Sequence, residues 1–185
     1  MTEPGIGRIV VTGSECTGKT TLAAALAEHY ALTWLREQSR VYAETVARPL
    51  TAFDVEPIAR AQLAAEDEAM AAATAAGDRW IVLDTDLVST VVYARHYYGG
   101  CPPWIVDEAR ARLAQRYLLC GIDVPWRPDS VRDRPVAREE MHESFRRSFD
   151  EFGVRPCAVR GLGPQRLAAA LKCVTGTAQG HLDVG

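Results

Sequence analysis

The chain has 185 residues, 48% of them hydrophobic and 24% charged, with 21 Lys and Arg against 24 Asp and Glu. This length and mixture indicate one soluble domain with a full core, and the near balance of charge gives no reason to expect nucleic acid or an anionic membrane as a partner. The sequence has neither a stretch of roughly 18 apolar residues that could span a bilayer nor a basic and then apolar leader, so we expect a cytoplasmic protein.

The chain is predicted to alternate strands with helices. A strand is expected over residues 8–12, a β-branched and almost wholly apolar run, and a helix over 19–30, where apolar residues recur at four-residue spacing. The further elements expected are a strand at 32–37, helices at 39–46 and 54–76, a strand at 79–86, helices at 87–98 and 103–118, strands at 117–123 and 156–161, and a helix at 164–174.

Such alternation predicts a parallel sheet covered on both faces by helices. We therefore expect a three-layer α/β fold with a five-stranded parallel sheet, in a single domain of residues 1–174. Residues 175–185 lack periodicity and are expected to form a disordered tail. The charged run at 66–68 within the alanine-rich helix is expected to be a solvated face.

The cysteines are odd in number and scattered: Cys16, Cys101, Cys120, Cys157 and Cys173. None forms a C-x-x-C pair, and no histidine lies at zinc-finger spacing from them. We expect free, buried thiols in a reducing compartment.

A phosphate-binding loop is predicted directly after the first strand. Residues 13–21 read GSECTGKTT, in which a glycine and four further residues precede glycine, lysine and threonine. Glycine backbone angles let successive amides turn toward phosphate oxygens, the lysine ammonium reaches the β- and γ-phosphates, and the threonine hydroxyl can ligate Mg²⁺. The residues expected to bind ATP are Gly13, Ser14, Glu15, Cys16, Thr17, Gly18, Lys19, Thr20 and Thr21.

Among proteins with such a loop, the sequence favours a compact kinase. No Asn-Lys-x-Asp is present to read guanine, and no Asp-x-x-Gly directly follows the third strand, which argues against a small GTPase. A helicase or a motor would need more strands and more length. Catalysis by a kinase of this kind is mainly positioning and charge neutralisation.

Carboxylates end the second and third predicted strands. The C-terminal ends of parallel strands line the ligand crevice, so we assign Asp84 of LDTD to the magnesium shell through water, and Asp86 to a hydroxyl of the acceptor. If the chain turns at Thr85, the two aspartates diverge, and Asp86 could cap the next helix instead.

The second strand leads into REQSR, which places Glu37 at the same edge. A carboxylate there can accept the proton of an attacking hydroxyl or orient that hydroxyl, with Arg36 and Arg40 on either side. The alternative is an ordinary surface Glu–Arg pair.

An arginine-rich lid is predicted at about residues 124–138. Three prolines interrupt this stretch, so it cannot be a regular helix throughout. Its arginines would neutralise charge on the transferring phosphoryl group as the segment closes over the triphosphate. The arginines concerned are Arg127, Arg132, Arg134 and Arg138. A solvated basic loop is the alternative.

The turn RGLGPQR follows the fifth predicted strand. Its glycines would let backbone approach a flat base closely, so Gly161 is a candidate contact for adenine.

The segments GSECTGKT, REQSR, LDTD and DVPWRPDSVR together resemble, in the same order, the ribosylnicotinamide kinase domain of bacterial bifunctional NAD-salvage regulators, a branch of the P-loop kinase-like AAA proteins. The resemblance spans about residues 8–174. It departs from the family's pattern in three places: Cys16 and Thr17 replace two serines, Gln38 replaces a tyrosine, and Ser130 replaces a glycine.

The resemblance implies an ATP- and Mg²⁺-dependent kinase that phosphorylates the 5′-hydroxyl of nicotinamide riboside. Lys19, Glu37, Arg132 and Arg134 would be catalytic, and Thr20 and Asp84 would hold the metal. Glu37, Arg40, Asp86 and Trp126 would bind the acceptor, with Trp34 or Trp126 stacked on the pyridinium ring.

The family's adenylyltransferase signature, His-x-Gly-His, is not in the sequence, so phosphorylation is the only reaction expected. The alternatives are a nucleoside or deoxynucleoside kinase, and a regulatory module that binds ATP without transferring phosphate.

Overall fold

The computed structural model describes residues 5–124 and 137–176. Its centre is a parallel sheet whose five strands lie in the spatial order β2-β3-β1-β4-β5. In chain order the strands are β1 Gly7–Thr12, β2 Trp34–Leu35, β3 Trp80–Asp84, β4 Arg116–Cys120 and β5 Cys157–Val159. The expected α/β fold with a five-stranded parallel sheet is confirmed.

Helices cover both faces of the sheet. They are α1 Lys19–Tyr30, α2 Gln38–Val46, α3 Val55–Ala76, α4 Leu87–Tyr98, α5 Pro103–Ala111, α6 Ala137–Phe152 and α7 Gly163–Thr175. In the described part of the chain, no helix is both long and apolar enough to cross a membrane.

Side chains alternate between two cores along each central strand, as expected for a sheet buried on both faces. Ile9 and Val11 of β1 pack with α1 and α7, where Leu26 and Ala170 are fully buried. Val10 lies in the opposite core, beneath α3 to α6. Because β1 is flanked by β3 and β4, the loop that follows it lies at the middle of the sheet's carboxyl edge.

One helix prediction is wrong, and one helix was not predicted. The helix expected over 103–118 ends at Ala111, because Leu118 pairs with Val11 as part of β4. Helix α6 was not expected at all. Its sequence is largely charged, but Met141, Phe145 and Phe149 recur at four-residue spacing and are all buried, which is the pattern of an amphipathic helix.

The expectation of five free thiols is also wrong. Cys157 in β5 and Cys173 in α7 form a disulfide, with a Cα–Cα distance of 5.8 Å. Among the described residues, Cys16, Cys101 and Cys120 take no part in a disulfide. The bridged pair is 16 residues apart in sequence and meets only because α7 packs back beside β5, which no local spacing reveals.

The charged run in α3 is not a uniformly solvated face. Glu66 is only 1% exposed, and its carboxylate lies 3.5 Å from the Arg8 guanidinium. It also accepts a hydrogen bond of 2.7 Å from the Gln62 amide. Asp67, the next residue, is exposed and pairs with Arg112 at 2.6 Å.

Candidate active site

The loop between β1 and α1 depends on glycine at two positions. Gly13 has φ +136° and Gly18 has φ +74°, a region that favours glycine. A Cβ atom at Gly13 would also lie 3.0 Å from the Cys120 carbonyl oxygen of β4. The loop therefore packs closely on the neighbouring strand before it enters α1 at Lys19.

The Lys19 ammonium lies over this loop. It is 5% exposed and donates a hydrogen bond of 3.1 Å to the Ser14 carbonyl oxygen. The Thr17 hydroxyl donates to the same oxygen at 2.8 Å. The Lys19 charge is thus held against the loop backbone at the N-terminus of α1. This arrangement is suited to binding phosphate.

Thr20 and Asp84 meet beside the loop. The Thr20 hydroxyl donates to Asp84 Oδ2 at 2.6 Å, while Asp84 Oδ1 is buried without a hydrogen-bond partner among the described residues. Burial, reinforced by the negative charge of Glu37, raises the pKa of Asp84 against the opposing effects of the Thr20 hydrogen bond, Lys19 and Arg40. A buried carboxylate oxygen with no donor, next to a hydroxyl, fits a divalent cation that is also held by phosphate.

Glu37 lies at the same edge of the sheet. Leu35 of β2 pairs with Leu83 of β3, so the residues that follow these strands lie side by side. The Glu37 carboxylate is 4% exposed, accepts from the Ser39 hydroxyl at 2.7 Å and lies 4.0 Å from Arg40. The negative charge of this buried carboxylate contributes to the raised pKa of Asp84.

Asp86 points elsewhere. Thr85 has φ +71°, so the chain turns between the two aspartates. Asp86 caps α4 by accepting from the Ser89 amide at 3.3 Å, and its other oxygen accepts from the Tyr117 hydroxyl at 2.6 Å. The alternative in which Asp86 is a helix cap is the one the geometry favours, and its contact with an acceptor hydroxyl stays a prediction.

Two tyrosines of α4 contact the phosphate loop, and sequence reasoning missed both. The Tyr93 hydroxyl donates to the Gly13 carbonyl oxygen at 3.1 Å, and the Tyr97 hydroxyl donates to Glu15 Oε1 at 2.8 Å. The available signal was the spacing, because residues four apart in a helix share a face and this helix begins just after LDTD.

The turn that carries Gly161 is held from two sides. The Gly161 amide donates to Asp123 Oδ2 at 2.5 Å, and its carbonyl oxygen accepts from the buried Arg166 guanidinium at 2.8 Å. Arg166 also donates to the Gly121 carbonyl oxygen at 3.0 Å. The ends of β4 and β5 are thereby fixed together beside the loop, while the adenine contact of Gly161 stays a prediction.

Most of the predicted lid lies outside the described residues, including Trp126, Arg127, Arg132 and Arg134. Arg138 is described, and its contact with the transferring phosphoryl group stays a prediction. At the start of α6, it donates to the carbonyl oxygens of Ile122 at 3.0 Å and Val124 at 2.7 Å. Trp34 is partly buried against the core beneath α1 and α7.

The order of the strands and the loop between β1 and α1 are those of a P-loop fold. The AAA domain family model matches residues 8–166, and the chain belongs to this family. A comparison with curated protein sequences finds no match.

Solved structures of similar fold include NadR protein in complex with NR and in complex with NAD and AMP-PNP. Each has a TM-score of 0.71 and 23% identity, covering 92% of this chain and 49% of the NadR chain. Thymidylate kinase from Ehrlichia chaffeensis has a TM-score of 0.59 and 14% identity, covering 91% of this chain and 97% of the kinase chain. Deoxyadenosine kinase from M. mycoides with bound dATP has a TM-score of 0.56 and 14% identity, covering 90% of this chain and 97% of the kinase chain. The chain therefore spans about half the length of NadR and nearly all of the two kinases.

Proposed function

We propose that the protein is a kinase that transfers the γ-phosphoryl group of ATP to a hydroxyl of a small molecule. The observation that supports this most is that the Lys19 ammonium lies against the phosphate loop and the Thr20–Asp84 pair lies beside it, with the buried Glu37 at the same edge of the sheet. A module that only binds ATP has no need for a buried carboxylate at that place.

Each group has a role in the proposed transfer. The acceptor hydroxyl oxygen attacks the γ-phosphorus, and the bond from that phosphorus to the β–γ bridging oxygen breaks to release ADP. Lys19 stabilises negative charge on the phosphates. Glu37 orients the attacking hydroxyl and takes its proton. In the site described, Glu37 is held by Ser39 and Arg40.

Mg²⁺ would be held by the Thr20 hydroxyl and, through water, by Asp84. When bound, it would neutralise charge on the β- and γ-phosphates. Asp84 Oδ1, for which the described residues supply no hydrogen-bond donor, supports this assignment.

We further propose nicotinamide riboside as the acceptor and nicotinamide mononucleotide as the product. The order of the segments GSECTGKT, REQSR, LDTD and DVPWRPDSVR supports this choice, as does the likeness to NadR in complex with NR. A nucleoside or deoxynucleoside is the second candidate, favoured by the likeness to deoxyadenosine kinase over nearly its whole length.

The test is to incubate the protein with Mg·ATP and, separately, nicotinamide riboside, adenosine, deoxyadenosine, thymidine and no acceptor, and to measure ADP release. We expect nicotinamide riboside to give the highest kcat/KM. Turnover of a nucleoside without turnover of nicotinamide riboside would show that the acceptor is a nucleoside and that nicotinamide riboside is the wrong substrate. ATP binding with no stimulation by any acceptor would instead indicate the regulatory module.

A further inference from the structure

Helix α4 lies against the phosphate loop through hydroxyl groups rather than through apolar packing alone. We infer that Tyr93 is a positioning residue of the phosphate loop, whose hydroxyl orients the loop backbone and the Lys19 ammonium for the triphosphate. This inference rests on the proposed function, since the loop is taken to bind Mg·ATP.

The hydrogen bond to Gly13 sets the direction of one loop amide. The peptide unit is planar and trans, so its C=O and the following N–H point in opposite directions. The Gly13 carbonyl oxygen accepts from Tyr93 at 3.1 Å, and the Ser14 N–H must therefore point away from α4. Gly13 has no Cβ atom to restrict its backbone, so a contact from outside the loop can contribute to the orientation of this peptide unit.

The same hydroxyl also contacts the lysine. The Lys19 ammonium donates to the Tyr93 oxygen at 3.5 Å as well as to the Ser14 carbonyl oxygen at 3.1 Å. A hydroxyl can donate one hydrogen and accept at its lone pairs, so Tyr93 can donate to Gly13 and accept from Lys19 at once. Because Lys19 is 5% exposed, its charge needs such acceptors.

The position of the hydroxyl is set by the ring. The Tyr93 ring stacks on Tyr97 at 6.2 Å between centroids, with the planes 5° apart. It meets the fully buried Phe145 ring of α6 edge-on at 5.7 Å. Phenylalanine at position 93 retains both ring contacts, which makes Tyr93→Phe a test of the hydroxyl alone.

The experiment compares wild type, Tyr93→Phe and Tyr98→Phe in the full chain. Tyr98 is in the same helix, and its hydroxyl makes no hydrogen bond to the described residues of the loop. Binding of Mg·β,γ-imido-ATP is measured by calorimetry. The kcat and the KM for ATP are measured with the best acceptor of the panel, and the Tm is measured by circular dichroism.

We expect Tyr93→Phe to raise the Kd about tenfold, as the loss of one or two hydrogen bonds would. We expect Tyr98→Phe to leave it within about twofold. The KM for ATP should rise with the Kd, while the KM for the acceptor stays unchanged. A second arm uses Lys19→Met: in that background Tyr93→Phe should change the Kd less than it does in wild type, because part of its effect passes through the lysine.

An unchanged Kd for Tyr93→Phe would overturn the inference while the proposed function stands. A lowered Tm with unchanged Kd and KM would also overturn it, since it would make Tyr93 a packing residue only. Failure of the wild type to bind Mg·β,γ-imido-ATP would refute the proposed function and this inference together.

Discussion

Glu66→Gln tests how a buried carboxylate of α3 affects the stability of the protein. Glu66 is 1% exposed, and the Arg8 guanidinium lies 3.5 Å away. Burial, reinforced by the negative charge of Asp86, raises the pKa of Glu66 from 4.5 to about 7, against the opposing effects of Gln62, Arg8 and Arg112. At pH values between 4.5 and about 7, the folded protein therefore retains a proton on Glu66 that the unfolded chain releases.

The sign of the effect on stability follows from this difference. Between pH 4.5 and about 7 unfolding releases the proton, so raising the pH favours the unfolded chain. At about 1.4 kcal/mol per pKa unit, the wild type loses about 3 kcal/mol of unfolding free energy through Glu66 across this range. Glutamine has a similar shape and does not titrate, so this loss is absent from the variant.

The measurement is urea denaturation of wild type and Glu66→Gln at a series of pH values from below 4.5 to above 7. We expect the stability of the variant relative to wild type to increase by about 3 kcal/mol over the series. Glu68→Gln removes the same charge from an exposed position in the same helix and should show no such increase. A constant difference between wild type and Glu66→Gln would refute the reasoning, because it would mean that Glu66 titrates alike in both states.

Three further substitutions and one control substitution test the site and the disulfide. Lys19→Ala should abolish acceptor-dependent ADP release, while Lys172→Ala, at the other lysine of the chain, should leave it unchanged. Glu37→Gln should retain Mg·ATP binding and lower kcat by roughly 10²- to 10⁴-fold, and a near-normal kcat would remove Glu37 from the mechanism. Cys157→Ser should lower the unfolding free energy by about 2–4 kcal/mol. Thiol titration of the unreduced, denatured wild type should find three thiols, not five.

The sheet could be predicted because its strands are short apolar runs placed between helix patterns. Residues 8–12 and 79–86 stand out in this way, and both became central strands. Helix α6 could not be found by the same criterion, since its apolar residues are few and widely spaced among charges. The disulfide between Cys157 and Cys173 depends on tertiary packing alone.

The site was predictable where a residue's position follows from the end of a strand. Glu37 and Asp84 lie at one edge of the sheet because adjacent parallel strands present their carboxyl ends there. The contacts of Tyr93 with the loop depend on how α4 packs across the sheet, which strand order does not specify. The lid residues Arg132 and Arg134 lie outside the described residues, so their roles stay predictions.

One backbone angle separates the two aspartates that the sequence places together. In a continuous strand, Asp84 and Asp86 would have projected from the same face. Because Thr85 adopts φ +71°, Asp84 lies beside Thr20 at 2.6 Å, whereas Asp86 is buried against Tyr117. The turn thus assigns one carboxylate to the phosphate loop and the other to the start of α4, which carries Tyr93. Glu37, which follows β2, is another buried carboxylate at this edge of the sheet, and for this reason the proposed proton transfer depends on Glu37.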